Sequence, residues 1–186
     1  MNLAEEYLGI ALNATRDSHE SLNEVLDRLP VAVYVTDPQG TITHYNSACI
    51  DLAGRVPVIT SDKWCVTWKL FTLDGAPLPH DECPMAIAIR ERREVRGTEA
   101  IAERPDGTRI TFVPYPTPLL DDDGDLVGAV NLMVDVTQLR QARHLRDQAA
   151  RCRRLARSIS DARTIRALTG MAEEYEGQAA QLAMSN

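Results

Sequence analysis

The sequence predicts an α+β protein: a five-stranded antiparallel sheet with helices on one face, flanked by N-terminal helices and a C-terminal helical hairpin or coiled coil. Three observations carry this. Short β-branched and aromatic runs joined by Gly-ended turns flank a helical middle between residues 31 and 137. An amphipathic stretch precedes Pro30, and after Thr137 the apolar spacing changes to steps of three and four. The expected organisation is a helical extension over residues 1–29, a sheet domain over 30–137 and a helical hairpin over 138–186.

Composition bounds the rest. The 186 residues suit one domain with a real core plus helical extensions, since domains cluster at roughly 100–150 residues. No apolar run approaches the roughly 20 residues of a membrane-spanning helix. The N-terminus carries Glu5 and Glu6 in place of a basic leader, so we expect a cytoplasmic protein that does not engage membranes. A net charge of −7 argues against non-specific nucleic-acid binding. The local exception is Arg140, Arg143, Arg146, Arg151, Arg153, Arg154 and Arg157, a stretch in which Asp147 is the only acid. We read it as the charged outer face of a helix, paired with Glu173, Glu174 and Glu176 on the returning one. Cys49, Cys65, Cys83 and Cys152 form no C-x-x-C pair and are expected to be reduced and buried.

Taken in order, residues 3–29 show helical apolar spacing that breaks near Asp17-Ser18. Ser21 and Glu24 fit a capping box for a second helix, striped by Leu22, Val25, Leu26 and Leu29 and stopped by Pro30. That stripe must be buried, against its own domain or against a partner chain. Residues 31–36 and 41–45 read as strands around the turn Asp37-Pro38-Gln39-Gly40. Asn46 is placed to cap a short helix ended by Gly54. Residues 55–81 look irregular and residues 82–93 helical. Residues 95–103 and 108–114 make a second hairpin around Arg104-Pro105-Asp106-Gly107. Pro114, Pro116 and Pro118 then require an edge or a bulge. The acidic turn at 121–125 leads to a final strand at 126–134. Beyond it, Ala142, Leu145, Ala149, Cys152, Ala156 and Ile159 form one seam. Ile165, Leu168, Ala172, Tyr175, Ala179 and Leu182 form another, and Ser160-Asp161 between them would cap the second helix. The two helices make a hairpin or one long kinked helix; because the seams are rich in alanine we expect close packing that a dimer completes, with Leu145, Ala149, Cys152, Ala156 and Ile159 as the dimer or helix seam.

Several of these segments are familiar in combination. Residues 37–42, Asn46, Arg104-Pro105-Asp106-Gly107-Thr108, Asp123-Gly124 ahead of residues 127–130, and the closing Asp135-Val136-Thr137 together resemble the PAS domain. Residues 78–85 and 116–119 are similar to PAS domains that precede bacterial sensor histidine kinases. The resemblance covers about residues 26–137. It implies a sheet and helices enclosing a pocket for a small ligand or cofactor, with signals leaving through flanking helices, often across a dimer. It implies that Asp135 holds the strand end while Thr137 caps the output helix. A kinase-type output would need roughly 200 more residues. We therefore expect no enzyme, but a bacterial stand-alone adaptor acting on another signalling protein such as a kinase or response regulator.

Strand parity counted back from Asp135 puts Val127, Ala129, Asn131 and Met133 on one face of the last strand, and Leu126, Gly128, Val130, Leu132 and Val134 on the other. The first is the candidate pocket face, lined by Trp68, Met85, Ile89, Asn131 and Met133, although Asn131 also suits a role satisfying a neighbouring backbone group. His80 and Cys83 are the candidate ligands for haem iron, or for redox sensing. Against haem, His80 suits a helix cap, and the helix that supplies the ligand in haem-binding relatives holds no histidine here. Flavin photochemistry lacks its cysteine motif and has Met133 where light-sensing relatives carry Gln, so no tightly bound cofactor is expected. Cys65 reads as core, and Cys65, His80 and Cys83 lack the spacing of a zinc site. His144, on the helix after the domain, is the candidate for phosphotransfer, but its surroundings do not form a kinase phosphorylation box.

Overall fold

The structure, a computed structural model, describes residues 3–16 and 21–184, so the expected helix break at Asp17-Ser18 lies outside the described residues. The chain forms two compact units, Met1–Asp135 and Val136–Asn186.

The first unit is built on six strands, not five: β1 (Ala32–Thr36), β2 (Ile42–Tyr45), β3 (Lys69–Phe71), β4 (Ala100–Glu103), β5 (Arg109–Leu120) and β6 (Leu126–Asp135), in the order β2-β1-β6-β5-β4-β3. The additional strand, β3, lies in the stretch expected to be irregular. Thr72-Leu73-Asp74-Gly75 reverses the chain after it, with the Gly75 N–H donating to the Thr72 carbonyl at 3.0 Å. The same four-residue device closes the hairpins at 37–40, 104–107 and 121–124, each with glycine last at φ between 79° and 84°. At Gly40 the requirement is also steric, since a Cβ there would lie 2.2 Å from the Trp64 ring.

The expected strand at 95–103 is shorter because β4 starts only at Ala100. Beyond Phe112, β5 therefore has β6 as its only ladder partner, and Pro114, Pro116 and Pro118 all fall in that stretch. Arg96 stands in for the missing strand. Its guanidinium donates to the Pro116 carbonyl at 2.9 Å and to Thr117 Oγ1 at 2.8 Å, and lies 5.6 Å from the centroid of the Tyr115 ring.

Helices α3 (Ser47–Ala53) and α4 (Pro84–Glu91) cover one face of the sheet, where Tyr34, Ile42, Cys49, Met85, Phe112 and Met133 are buried. Helices α1 (Leu3–Arg16) and α2 (Leu22–Asp27) cover the opposite face through Leu8, Ala11, Leu26 and Leu29, packed on Val33, Val130 and Leu132. The N-terminal stripe is thus buried against its own sheet. Ser21 occupies the N-cap position of α2 but makes no side-chain cap hydrogen bond, so the expected capping box does not form.

Asn46 also departs from its expected role. It precedes α3, yet its amide is turned inward and fully buried. Oδ1 accepts from the Val33 N–H at 3.0 Å, and Nδ2 donates to the carbonyls of Leu26, Leu29 and Val31. It fastens the end of α2 to β1. A buried amide leaves no such group unpaired without cost, so this contact outcompetes an exposed helix cap.

The second unit is a helical hairpin, α5 (Thr137–Arg157) and α6 (Ala162–Met184). Asp161 starts α6, accepting from the Thr164 N–H at 2.8 Å and its hydroxyl at 2.6 Å. Ala149 and Cys152 of α5 pack on Ala172, flanked by Leu168 and Tyr175. The expected seam thus packs α5 on α6 at Ala149 and Cys152; Leu145 and Ala156 are half-buried and Ile159 is exposed. Thr137 is already helical, and the cap position belongs to Val136, which offers no side-chain oxygen. Of the expected pairs across the hairpin, Arg153 with Glu176 forms, both terminal guanidinium nitrogens donating to the carboxylate. Among the described residues no helix is long and apolar enough to cross a membrane.

Candidate functional site

The strand parity holds along most of β6: Ala129, Asn131 and Met133 face α3 and α4, while Val130, Leu132 and Val134 face α1 and α2. It fails at the start. The register skips Val127 between the pairs Leu119↔Gly128 and Leu120↔Leu126, a bulge that leaves Val127 half exposed and turns Leu126 onto the α3–α4 face. Gly128 is held against β1, where a Cβ would come within 2.3 Å of the Thr36 carbonyl oxygen.

Of the five candidate pocket residues, Met85, Ile89, Asn131 and Met133 are buried between sheet and helices, and Trp68 is not among them. Trp68 is 52% exposed and lies on an outer cleft. That cleft has two halves that share Trp68 and His80. One, of about 290 Å³, is lined by Arg55, Asp62, Lys63, Trp64 and Thr67; the other, of about 320 Å³, by Leu70, Phe71 and the residues at 77–79. The loop forming the polar half is conformationally costly, because Thr60 and Trp64 both adopt left-handed backbone angles, φ 69° and 67°. The Arg55–Asp62 ion pair braces it, with Arg55 also donating to the Val66 carbonyl at 3.1 Å.

From this loop a line of hydrogen bonds crosses the sheet. The Tyr34 hydroxyl donates to the Trp64 carbonyl at 2.7 Å and accepts from Asn131 Nδ2 at 3.0 Å. Asn131 Oδ1 accepts from the Tyr115 N–H at 3.0 Å. Each member donates to the next, so the dipoles reinforce one another in a buried setting. Burial, followed by the nearby Cys65 and Cys83 thiols, pushes the Tyr34 pKa well above its ordinary value. Asn131 thus fills the backbone role expected of it and binds a side chain as well. Tyr34 and Trp64 were not among the sequence candidates; a tyrosine in mid-strand on the core face, whose hydroxyl must find a partner, was the available signal.

His80 and Cys83 stand close in sequence but do different things. His80, in a 3₁₀ turn at His80–Glu82, directs Nε2 to the Thr67 carbonyl at 3.2 Å rather than to the following helix as a cap. Burial first, and the Arg55 charge among the lesser causes, lower its pKa, so it is held neutral. Cys83 precedes Pro84 at the start of α4. It is buried, with its thiol pushed up to about 12, chiefly by desolvation. Cys65 is likewise buried and raised, and accepts from Thr67 Oγ1 at 3.2 Å. None of these sulfurs is a thiolate near neutral pH, the form that ligates metal or reacts with oxidants. Among the described residues no group of three His, Cys, Asp or Glu side chains is placed to hold a metal ion. His144 is exposed on α5, with its Nε2 3.5 Å from Gln148 Nε2. The junction residues lie one residue apart: Asp135 ends β6, paired with Phe112, and Thr137 opens α5.

The strand order β2-β1-β6-β5-β4-β3, with short helices between the second and fourth strands and the last strand, β6, in the interior of the sheet and followed in sequence by α5, defines an α+β domain. The chain belongs to the PAS fold family, whose model matches residues 26–141. Such domains are signal-sensing modules. Similar solved structures include a PAS domain from Colwellia psychrerythraea, 22% identical, spanning 62% of this chain and 93% of that one with a TM-score of 0.43. The PAS domain of the fruit-fly ELK potassium channel is 17% identical over 57% of this chain and 87% of its own, at 0.47. A Rhodobacter sphaeroides LOV protein is 13% identical over 100% and 97%, at 0.44. No curated protein matches the chain in sequence.

Proposed function

We propose that the protein is a bacterial, cytoplasmic sensory adaptor without catalytic activity of its own. It acts as a homodimer, senses a small ligand or a partner at the Trp68 side of the sensor unit, and passes the result through α5 to another signalling protein such as a kinase or response regulator. The observation that carries this reading is the line Trp64–Tyr34–Asn131. It connects the strained loop beside the cleft to β6, and Asn131 stands four residues before the strand ends. A ligand that moves the loop changes the partner of the Tyr34 hydroxyl, and with it the position of the strand that leads into α5.

Hydrogen exchange tests this directly. Tyr34→Phe should leave the sensor unit folded and alter amide protection along residues 137–157; unchanged protection there would sink the relay. Native mass spectrometry of the purified protein should show a dimer, together with any retained small molecule. A monomer would remove the dimeric part of the reading.

The haem or redox alternative through His80 and Cys83 finds little support in the site, because the His80 Nε2 is committed to a carbonyl and the Cys83 thiol is buried and neutral. Haem reconstitution is expected to produce no visible absorption band. Phosphotransfer through His144 would require acid-labile phosphate on that residue, and we expect none.

A further inference from the structure

The two units carry opposite charge. The sensor unit holds 22 Asp and Glu against 11 Lys and Arg, whereas the hairpin unit holds nine arginines against five acids. Within the hairpin the imbalance concentrates at its tip, where residues 151–166 contain six arginines and one acid, Asp161, whose carboxylate is engaged with Thr164. Arg153 is paired with Glu176. Among the described residues Arg151, Arg154, Arg157, Arg163 and Arg166 are exposed and form no ion pair. Leu155 and Ile159 lie among them in sequence, 47% and 36% exposed. Exposed aliphatic side chains accompanied by unpaired arginines have the composition of an interface rather than of a solvated helix end.

The sensor unit has a matching surplus. Several of its acids already have partners: Asp62 pairs with Arg55, Glu91 with Arg93, Glu94 with Arg96, and Glu103 with Lys69 and Arg109. The densest acidic segment is different. In the β5–β6 turn, Asp121 is used to fold the turn, accepting from the Asp123 and Asp125 N–H groups, while Asp122, Asp123 and Asp125 are exposed and form no ion pair among the described residues.

We propose that the arginine-rich hairpin tip docks on the acidic β5–β6 turn of a second copy of this chain. The inference rests on the homodimer read above and replaces its interface, because the alanine seam first expected there is already filled by α6. Two-fold symmetry makes the contact twice, tip to turn and turn to tip. Guanidinium groups suit it, since they bind carboxylates in a bidentate fork at little rotamer cost per hydrogen bond. A polyanionic nucleic acid would meet the same arginines, but the chain as a whole carries a net charge of −7, which disfavours a polyanion.

Sedimentation of the full chain at about 50 mM and about 500 mM salt gives the first test, since exposed charges are screened within about 10 Å at 0.1 M. Dimer affinity should fall at least about tenfold over that range. The triple variants Arg151→Glu/Arg154→Glu/Arg157→Glu and Asp122→Lys/Asp123→Lys/Asp125→Lys should each be monomeric, and an equimolar mixture of the two should dimerise again. That rescue separates lost pairing from misfolding. A dimer indifferent to salt and to both variants overturns the docking and leaves the homodimer standing. A monomer at every salt concentration overturns both. Tight binding of a short DNA duplex by the native chain, abolished by the arginine variant and preventing dimerisation, would reassign the tip to nucleic acid and overturn the proposal.

Discussion

The sensor unit and the hairpin are held together by different means. The sensor buries Tyr34, Phe112, Ile42, Met85, Leu132 and Met133, side chains whose removal from water is worth about 1.5–3 kcal/mol each for the aliphatic and aromatic types. The hairpin buries Ala142, Ala149, Cys152, Ala172 and Ala179, which contribute far less per residue. Helix pairs with so little apolar area are marginal unless something else holds them. The hairpin is therefore the less strongly packed of the two units, and the relay proposed above would draw on that difference.

The largest expected effect lies in the sensor. Asn46→Ala removes one acceptor and the donor to three carbonyls in the interior, and should cost about 3 kcal/mol in urea unfolding. A shift below about 0.5 kcal/mol, the scale of ordinary surface substitutions, would show that the amide is not the fastener described. Ala172→Leu should cost about 2 kcal/mol by overpacking, confined to the hairpin. Helical signal should be lost at lower denaturant while the near-ultraviolet signal of the sensor aromatics keeps its midpoint. If both move together, the two units are not independent. Tyr34→Phe should cost about 1–2 kcal/mol, because the Trp64 carbonyl and the Asn131 amide lose a partner without a cavity opening.

The smallest expected effect lies in the hairpin. Hydrogen bonds from the Thr164 hydroxyl and N–H hold the Asp161 carboxyl below its usual range. Its folded-state pKa is depressed, so the stabilisation is present above the unfolded value of about 3.9 and is lost as pH falls through the lower folded value. Helical content should decline in that acid window in the native chain. The Asp161→Ala chain should start slightly lower and lack this step; an identical acid profile would remove the cap from the account.

Much of this molecule is visible in local chemistry. Gly-ended turns, the shift from a period of two to steps of three and four, and the alanine seams specify three hairpins, the helical insert and the tail without reference to anything distant. β3 escaped because three residues are too few to show alternation, and Asp74-Gly75 was the only cue. The site was harder to read. Met85, Ile89, Asn131 and Met133 share a buried face because strand and helix periodicities put them there. Trp68 looked like a companion only because it is apolar, and no periodicity governs an irregular loop. The Asn46 amide had an exposed cap available nearby, and what redirected it was the arrival of the Leu26, Leu29 and Val31 carbonyls from fifteen to twenty residues earlier.

The sequence by itself determined the order of the elements apart from β3 and the strand parity of β6 after its bulge, which follow from backbone stereochemistry and the spacing of apolar residues, while the PAS class was legible as a resemblance of its turn and strand-end motifs. Tertiary structure alone decided which polar groups meet: Tyr34 with Trp64 and Asn131, Asn46 with α2, and the two seams with each other. Hydrogen bonds and packing act over a few ångströms between residues tens of positions apart, a proximity that exists only once the chain has closed on itself.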